Sequence, residues 1–289
     1  MIGTPPATTV GAALDATTAR LAAAGCVSAE AEARWLLDEV LELPAAGAAA
    51  RRREPLPQPA ARALERMVAR RVAGEPLQYV IGWAPFGPLR IRVGPGVFVP
   101  RPETELVADR AAAHLRAVPS PATAVDLCTG SGVIACFLAE AAPGARVLAT
   151  EVDAKALVWA RRNLGDRAVE LLEGDLDEPL PEELRSCVDV LVANVPYVPS
   201  GAIPLLPHDV RVHEPLVALD GGPDGLDVLR RVVARAGHWL APGGWLVCEL
   251  GDDQGEGVSA LLAGAGLRDV AIRPDLTGRN RMAEGRWPH

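Results

Sequence analysis

From Pro119 onward, short apolar runs alternate with helix-forming stretches, and no other feature constrains the fold as tightly. Ala122 to Leu127 leads into a glycine-rich turn and a helix, and Arg146 to Thr150 leads into a helix around Ala154 to Asn163. Val188 to Ala193 precedes a long loop, and a helix over Leu226 to Leu240 precedes a strand over Trp245 to Leu250. Strands separated by helical crossovers pair in parallel, with helices on both faces of the sheet. Asp269 to Ile272 and Arg281 to Arg286 offer a pair of antiparallel edge strands. No internal repeat is present.

The segment before Gly74 is different. It is rich in Ala and Arg, carries no strand signal, and predicts helices over Ala12 to Ala24, Ser28 to Leu43 and Pro59 to Val72. Ser28 is the expected N-cap of the second helix, with Ala31, Trp35, Val40 and Leu41 on its apolar face. Arg51-Arg52-Arg53-Glu54 reads as a solvated turn. Between the two regions, Leu89 to Val93 alternates with period two, Gly94-Pro95-Gly96 signals a turn, and Val97 to Val99 supplies a second strand. A hairpin connector is expected there.

Composition excludes several classes. With 289 residues, 49% apolar and 23% charged, the chain can bury a substantial core. The net charge of −8 argues against bulk nucleic acid as a partner. Twenty-eight of the 29 basic residues are Arg and the other is Lys155, which reads as a coding bias. Five cysteines, an odd number without a CxxC pair, fit reduced thiols in the cytoplasm better than a disulfide framework or a zinc site. No apolar run approaches the ~18 residues of a membrane span.

Asp126-Leu127-Cys128-Thr129-Gly130-Ser131-Gly132 lies between a strand and a helix. Glycines let the backbone turn sharply and approach a ligand, and the helix N-terminus presents free N–H groups. A dinucleotide fingerprint would need G-x-G-x-x-G, and the third glycine is misplaced here. Glu151 closes the next strand, where a carboxylate accepts hydrogen bonds from ribose hydroxyls. Glycine turn and downstream acid together point to S-adenosyl-L-methionine. Asp175, within Gly174-Asp175-Leu176 after the third strand, is either a contact to the adenine edge or a turn or helix cap.

Asn194-Val195-Pro196-Tyr197 ends a buried strand, and ligands bind at the carboxyl ends of parallel strands. Asn194 offers one acceptor and two donors. With the Val195 carbonyl, whose direction Pro196 restricts, it can grip both hydrogens of a planar –NH2 group while Tyr197 stacks on it. A carboxamide or an exocyclic base amine would suit; an Asx-type turn is the plain alternative.

These residues resemble the HemK-like protein-(glutamine N5) methyltransferases, which modify release factors. The likeness runs from about Glu30 to Trp287. It includes Gly74-Glu75-Pro76-Leu77-Gln78-Tyr79, Phe98-Val99-Pro100-Arg101-Pro102-Glu103-Thr104-Glu105, Glu214-Pro215 with Ala218-Leu219, Gly221 to Leu226, and Glu249-Leu250-Gly251 with Gln254. The resemblance implies an α/β fold: a seven-stranded Rossmann-like class I methyltransferase domain over 101–289, a helical substrate-docking domain over 1–75 and a β-hairpin linker over 76–100. It implies S-adenosyl-L-methionine contacts at Thr129, Gly130, Gly132 and Glu151 and amide recognition by Asn194 to Tyr197. With Asp126, Cys128 and Ser131 of the same turn, and Asp175, Leu176 and Asn194, the first four form the expected cofactor site; Asn194, Val195, Pro196 and Tyr197 form the expected catalytic one. No metal is expected, because the sulfonium methyl is already activated. A peptide chain release factor is the implied partner.

Two positions depart from the family pattern. Val195 stands where the family has Pro, which keeps the carbonyl but loses the fixed φ. Cys128 replaces a frequent glycine and reads as a small residue, not a nucleophile. An N-methyltransferase acting on a small molecule or nucleobase, and a non-catalytic cofactor-binding protein, remain as alternatives. His208 and His213 are expected in a loop near the pocket mouth, as loop residues or substrate contacts.

Overall fold

A computed structural model of the chain describes residues 8–288. The chain divides into a helical unit, reaching to Gly82 and including His208–His213, and an α/β unit holding Trp83–Pro207 and the chain from Glu214 onward. The helical unit thus extends beyond the expected boundary at residue 75 and takes in a later segment.

The helical unit contains α1 (Val10–Ala23), α2 (Ala29–Val40), α3 (Gly47–Ala50), α4 (Gln58–Val72) and α5 (Leu77–Ile81). Thr9 caps α1, its hydroxyl oxygen accepting from the Ala12 N–H at 3.2 Å. Ser28 occupies the cap position of α2, but its side chain makes no capping bond. The buried stripe of α2 is Ala29, Ala33, Leu36 and Leu37, not the expected Ala31, Trp35, Val40 and Leu41. Those four recur at helical spacing and bury two leucines side by side, which the other face cannot match. Asp38, on the same helix, accepts from the N–H groups of Ala46 and Ala48 at 2.8 and 2.7 Å and so fixes the turn into α3.

The α/β unit opens with a hairpin, β1 (Trp83–Phe86) and β2 (Leu89–Arg92), paired antiparallel with Phe86 opposite Leu89. This corrects the expected hairpin: Leu89 to Arg92 pairs with the segment before it through Gly87-Pro88, with Gly87 at φ +50°. Val97 and Val99 are buried without a strand ladder. Their alternation reflects core burial, and the Gly94-Pro95-Gly96 turn serves close packing instead. A Cβ on Gly94 would lie 2.5 Å from the Trp159 ring, and Trp159 Nε1 donates to the Pro95 carbonyl at 3.3 Å.

There follow α6 (Thr104–Ala117), β3 (Thr123–Leu127), α7 (Val133–Ala141), β4 (Arg146–Glu151), α8 (Ala154–Leu164), β5 (Val169–Glu173), β6 (Val188–Ala193), α9 (His208–His213, in the helical unit), α10 (Asp227–Trp239), β7 (Leu240–Glu249), α11 (Gly255–Gly264), β8 (Arg268–Pro274) and β9 (Asn280–Arg286). The sheet has seven strands in the order β5-β4-β3-β6-β7-β9-β8. β5 through β7 run parallel, and β9 joins β7 and β8 antiparallel, as the tail pattern predicts. β7 begins earlier than expected because Pro242-Gly243-Gly244 is absorbed in a register shift against β6; a Cβ on Gly244 would lie 2.8 Å from the Val188 carbonyl oxygen.

Successive crossovers carry the chain outward from β3 to β5 and then back to β6 on the other side. The order therefore reverses between β3 and β6, where open α/β sheets leave a crevice at the carboxyl ends. Among the described residues no helix is long and apolar enough to cross a membrane.

Gly94→Ala should cost about 1–3 kcal/mol, because the added methyl has no room against Trp159. Urea unfolding checks this; an unchanged midpoint would show that residues 93–99 are free to shift.

Candidate active site

The first turn is built on Asp126. It is buried at the end of β3, and its Oδ2 accepts from the Thr129 hydroxyl at 2.5 Å and from the Ala135 N–H at 3.1 Å. One carboxylate thus ties the turn to the first turn of α7. Gly130 and Gly132 take φ +58° and +81°, the left-handed region that favours glycine. A Cβ on Gly130 would meet nothing within 4 Å, so the backbone is open on that side. Asn163 of α8 holds the turn from behind. Its Nδ2 donates to the carbonyls of Ser131 and Arg92, both at 2.9 Å, while its Oδ1 accepts from the Arg92 N–H at 2.8 Å.

Glu151 ends β4 beside this turn. Its Oε2 accepts from the Gly130 N–H at 2.8 Å; its Oε1 accepts from Val152 and Asp153 at 3.0 and 2.8 Å. Burial pushes this carboxyl up, and the backbone N–H groups pull it back down. Oε1 is fully used, whereas Oε2 keeps a lone pair for a ligand donor. Burial and the nearby carboxylates of Glu151, Asp126 and Asp175 raise the Cys128 thiol, so it stays protonated and is a poor nucleophile.

The second turn follows β6. Val195 is buried in the core with Ala193 and Leu250, which accounts for an apolar residue other than Pro at that position. Asn194 Nδ2 donates to Thr104 Oγ1 at 3.3 Å. The Thr104 hydroxyl donates to Glu249 Oε2 at 2.6 Å, and the Tyr197 hydroxyl donates to Glu249 Oε1 at 3.0 Å. The Tyr197 carbonyl accepts from Gln254 Nε2 at 2.9 Å. Gly221 and Gly225 let the next segment approach closely: a Cβ on them would lie 2.7 Å from the Pro196 carbonyl oxygen and 2.3 Å from that of Tyr197.

Both turns line one cleft. Cys128, Thr129, Gly130, Ser131, Glu151, Asn194, Pro196 and Tyr197 face it, joined by Phe98, Pro100 and Thr104 from the block before and at the start of α6. The Arg101 guanidinium stacks over Phe98 at 4.7 Å and pairs with Glu214 at 2.5 Å, steadying that wall. Asp126 and Gly132 are not among the lining residues, and Val195 turns its side chain into the core. Asp175 and Leu176 are not among the lining residues either, though Asp175 lies near enough to Cys128 to raise its thiol; Asp175 accepts from Arg231 at 2.7 Å, and Leu176 is buried in the core. His208 and His213 sit on α9 in the helical unit, His208 against Gly74.

Thr104, Asn163 and Glu249 receive no role from the sequence. A carboxylate closing an apolar strand, as Glu249 does, was the available signal.

Residues 12–82 match the PrmC N-terminal domain, and residues 90–204 match the methyltransferase small domain. The release factor glutamine methyltransferase of Mycolicibacterium smegmatis is 43% identical over 272 residues, covering 93% of this chain and 95% of that one. The chain belongs to the release factor glutamine methyltransferase family. A second family member, from Geobacter sulfurreducens, is 39% identical over 285 residues, 98% of each chain. A methyltransferase structure from Pyrococcus furiosus shares the fold, with a TM-score of 0.50 at 19% identity over 70% of this chain and 90% of that one. The strand order is that of a class I methyltransferase.

Burial pushes Asp126 up to about 7 from its ordinary 3.8, and its Oδ1 has no hydrogen-bond partner among the described residues. Unfolded, this carboxyl releases its proton near 3.8; folded, it keeps it to about 7. The stabilisation from this group is therefore full below the lower value and is lost as pH rises toward the upper one. Asp126→Asn should shrink the fall in stability between about pH 4 and about pH 7, read from urea midpoints. An unaltered pH dependence would mean that Asp126 ionises normally in the folded protein.

Proposed function

We propose that the chain is an S-adenosyl-L-methionine-dependent N-methyltransferase that modifies the side-chain amide nitrogen of a glutamine in a peptide chain release factor. The observation that carries this is the convergence, in one cleft of a chain of this family, of a glycine turn with Glu151 and of Asn194 with Tyr197.

The residues fit the cofactor. Oε2 of Glu151 can accept from a ribose hydroxyl, the open side of Gly130 admits close approach, and Val152, 51% exposed, offers apolar surface beside the carboxylate. S-adenosyl-L-methionine, when bound, supplies a methyl group already activated as a sulfonium. The remaining difficulty is the amide nitrogen, whose lone pair is delocalised. Asn194 Oδ1 and the Val195 carbonyl accept its two N–H groups and aim it, while Tyr197 and Pro196 flank its plane. Holding reacting atoms about 3–3.5 Å apart contributes several kcal/mol through orientation alone. The same two acceptors favour the positive charge that grows on nitrogen during transfer. The extra proton leaves afterwards, so no dedicated base is assigned.

Val195 buries its side chain and leaves Asn194, Pro196 and Tyr197 facing the cleft. The names of the relatives from Mycolicibacterium smegmatis and Geobacter sulfurreducens support a release-factor acceptor over a small molecule. The helical unit is assigned to docking of the protein substrate. The five free thiols suit a cytoplasmic location.

Transfer of a labelled methyl group to intact release factor, followed by peptide mapping, tests the assignment; label entering only small amides would refute it. Asn194→Ala should lower turnover about 100-fold or more, the scale of a lost transition-state hydrogen bond, with less than about tenfold change in affinity for S-adenosylhomocysteine by calorimetry. Unchanged turnover would place the acceptor nitrogen elsewhere. Glu151→Ala should instead weaken that calorimetric affinity by about 1–3 kcal/mol, through loss of charge-assisted hydrogen bonds.

A further inference from the structure

Glu249 is buried at 0% exposure at the end of β7 and does not line the cleft, yet two lining residues spend their hydroxyl protons on it. An ionised carboxylate only accepts. Thr104 has one hydroxyl proton, donates it to Glu249 Oε2, and keeps only lone pairs for its other neighbour. That neighbour is the Asn194 carboxamide, which must then present Nδ2 to Thr104 and leave Oδ1 as its acceptor.

We propose that Glu249 is a positioning residue that sets, through Thr104, which end of the Asn194 carboxamide meets the methyl acceptor. The site thereby selects a group that donates N–H, a carboxamide, over an isosteric group that only accepts, a carboxylate. This rests on the reading that Asn194 holds the acceptor amide. With Glu249 protonated, the order can reverse. The carboxyl donates to Thr104, Thr104 donates to Asn194 Oδ1, and Nδ2 faces the acceptor, where it repels N–H and welcomes a carboxylate. Among the described residues Thr104 is the hydrogen-bond partner of the Asn194 side chain, and the two ends of a carboxamide have nearly the same shape, so Thr104 makes the choice.

The groups facing Glu249 can be named from each element. Thr104 and the carboxylate of Glu103 come from the start of α6, Tyr197 from the turn after β6, Cys248 from β7 itself and Arg281 from β9. Burial and Glu103 raise the Glu249 carboxyl, while the two hydroxyls and Arg281 lower it, leaving it at about 7. The acceptor-selecting arrangement is therefore complete above that pH and fades below it. Tyr197 itself is pushed up by burial and by Glu249, so it stays a hydroxyl donor throughout.

The test compares full-length wild type with Glu249→Gln, whose amide can donate to Thr104. The binding partners are intact release factor and the same protein with its acceptor glutamine changed to glutamate, both in the presence of S-adenosylhomocysteine. Wild type should bind the glutamine form at least about tenfold more tightly, as expected where a site hydrogen-bonds a substrate N–H. Glu249→Gln should lose most of that preference, lower kcat about tenfold or more with little change in KM, and keep its S-adenosylhomocysteine affinity. The rise of wild-type kcat/KM through about pH 7 should be absent in the variant.

Thr104→Ser, which keeps the hydroxyl, should retain the preference, and Thr104→Val should lose it. This pair decides the matter if Glu249→Gln does not fold. Retained preference and an unchanged pH limb in Glu249→Gln, or in Thr104→Val where only that folds, would overturn the proposal. A wild type that methylates no glutamine would overturn the functional reading instead.

Discussion

Leu127 lies opposite Ala193 in the parallel pairing of β3 with β6, and the chemistry of this chain depends on that register. Each strand ends one residue later in a turn, so the pairing sets the glycine turn and Asn194 side by side at one edge of the sheet. Strand side chains alternate faces, and a slip of one residue would exchange the side chains packed on the two covered faces of β6 and draw Asn194 into the interior. Val188 and Val190 to Ala193 are almost wholly buried, which makes such a slip costly. The hydrophobic pattern of one strand therefore fixes the spacing of a polar site that it does not itself contain.

Around that edge the protein buries three carboxylates, and each organises donors. Asp126 gathers a hydroxyl and a helix N–H, Glu151 gathers three backbone N–H groups, and Glu249 gathers two hydroxyls. Burying an acid is unfavourable unless its lone pairs are satisfied, and the raised values at Asp126 and Glu249 show that the compensation here is partial. The return is rigidity: the turns are held by short, charge-assisted bonds rather than by packing alone.

Much of this was legible in the sequence for identifiable reasons. The strand–helix alternation after Pro119 and the two turns are local patterns, and local patterns survive without knowledge of the fold. The hairpin failed at Val97 to Val99 because period-two burial looks the same whether or not a ladder forms. The face of α2 was misjudged because Trp35 and Val40 are apolar yet lie beside the stripe that Ala33, Leu36 and Leu37 bury. Asp175 follows a strand like the other acids, and its pairing with Arg231 of α10 is a contact that sequence spacing does not reach. Thr104 and Glu249 meet across 145 residues, a contact that no spacing rule reaches.

The central claim is geometric: the acceptor nitrogen sits between Asn194 Oδ1 and the Val195 carbonyl. A crystal structure of this protein with S-adenosylhomocysteine and its release factor measures that directly. The account predicts the glutamine amide nitrogen at about 2.7–3.2 Å from both oxygens, with Asn194 Nδ2 still on Thr104. A glutamine amide held away from Asn194, or an Asn194 that turns Nδ2 toward it, would contradict the account.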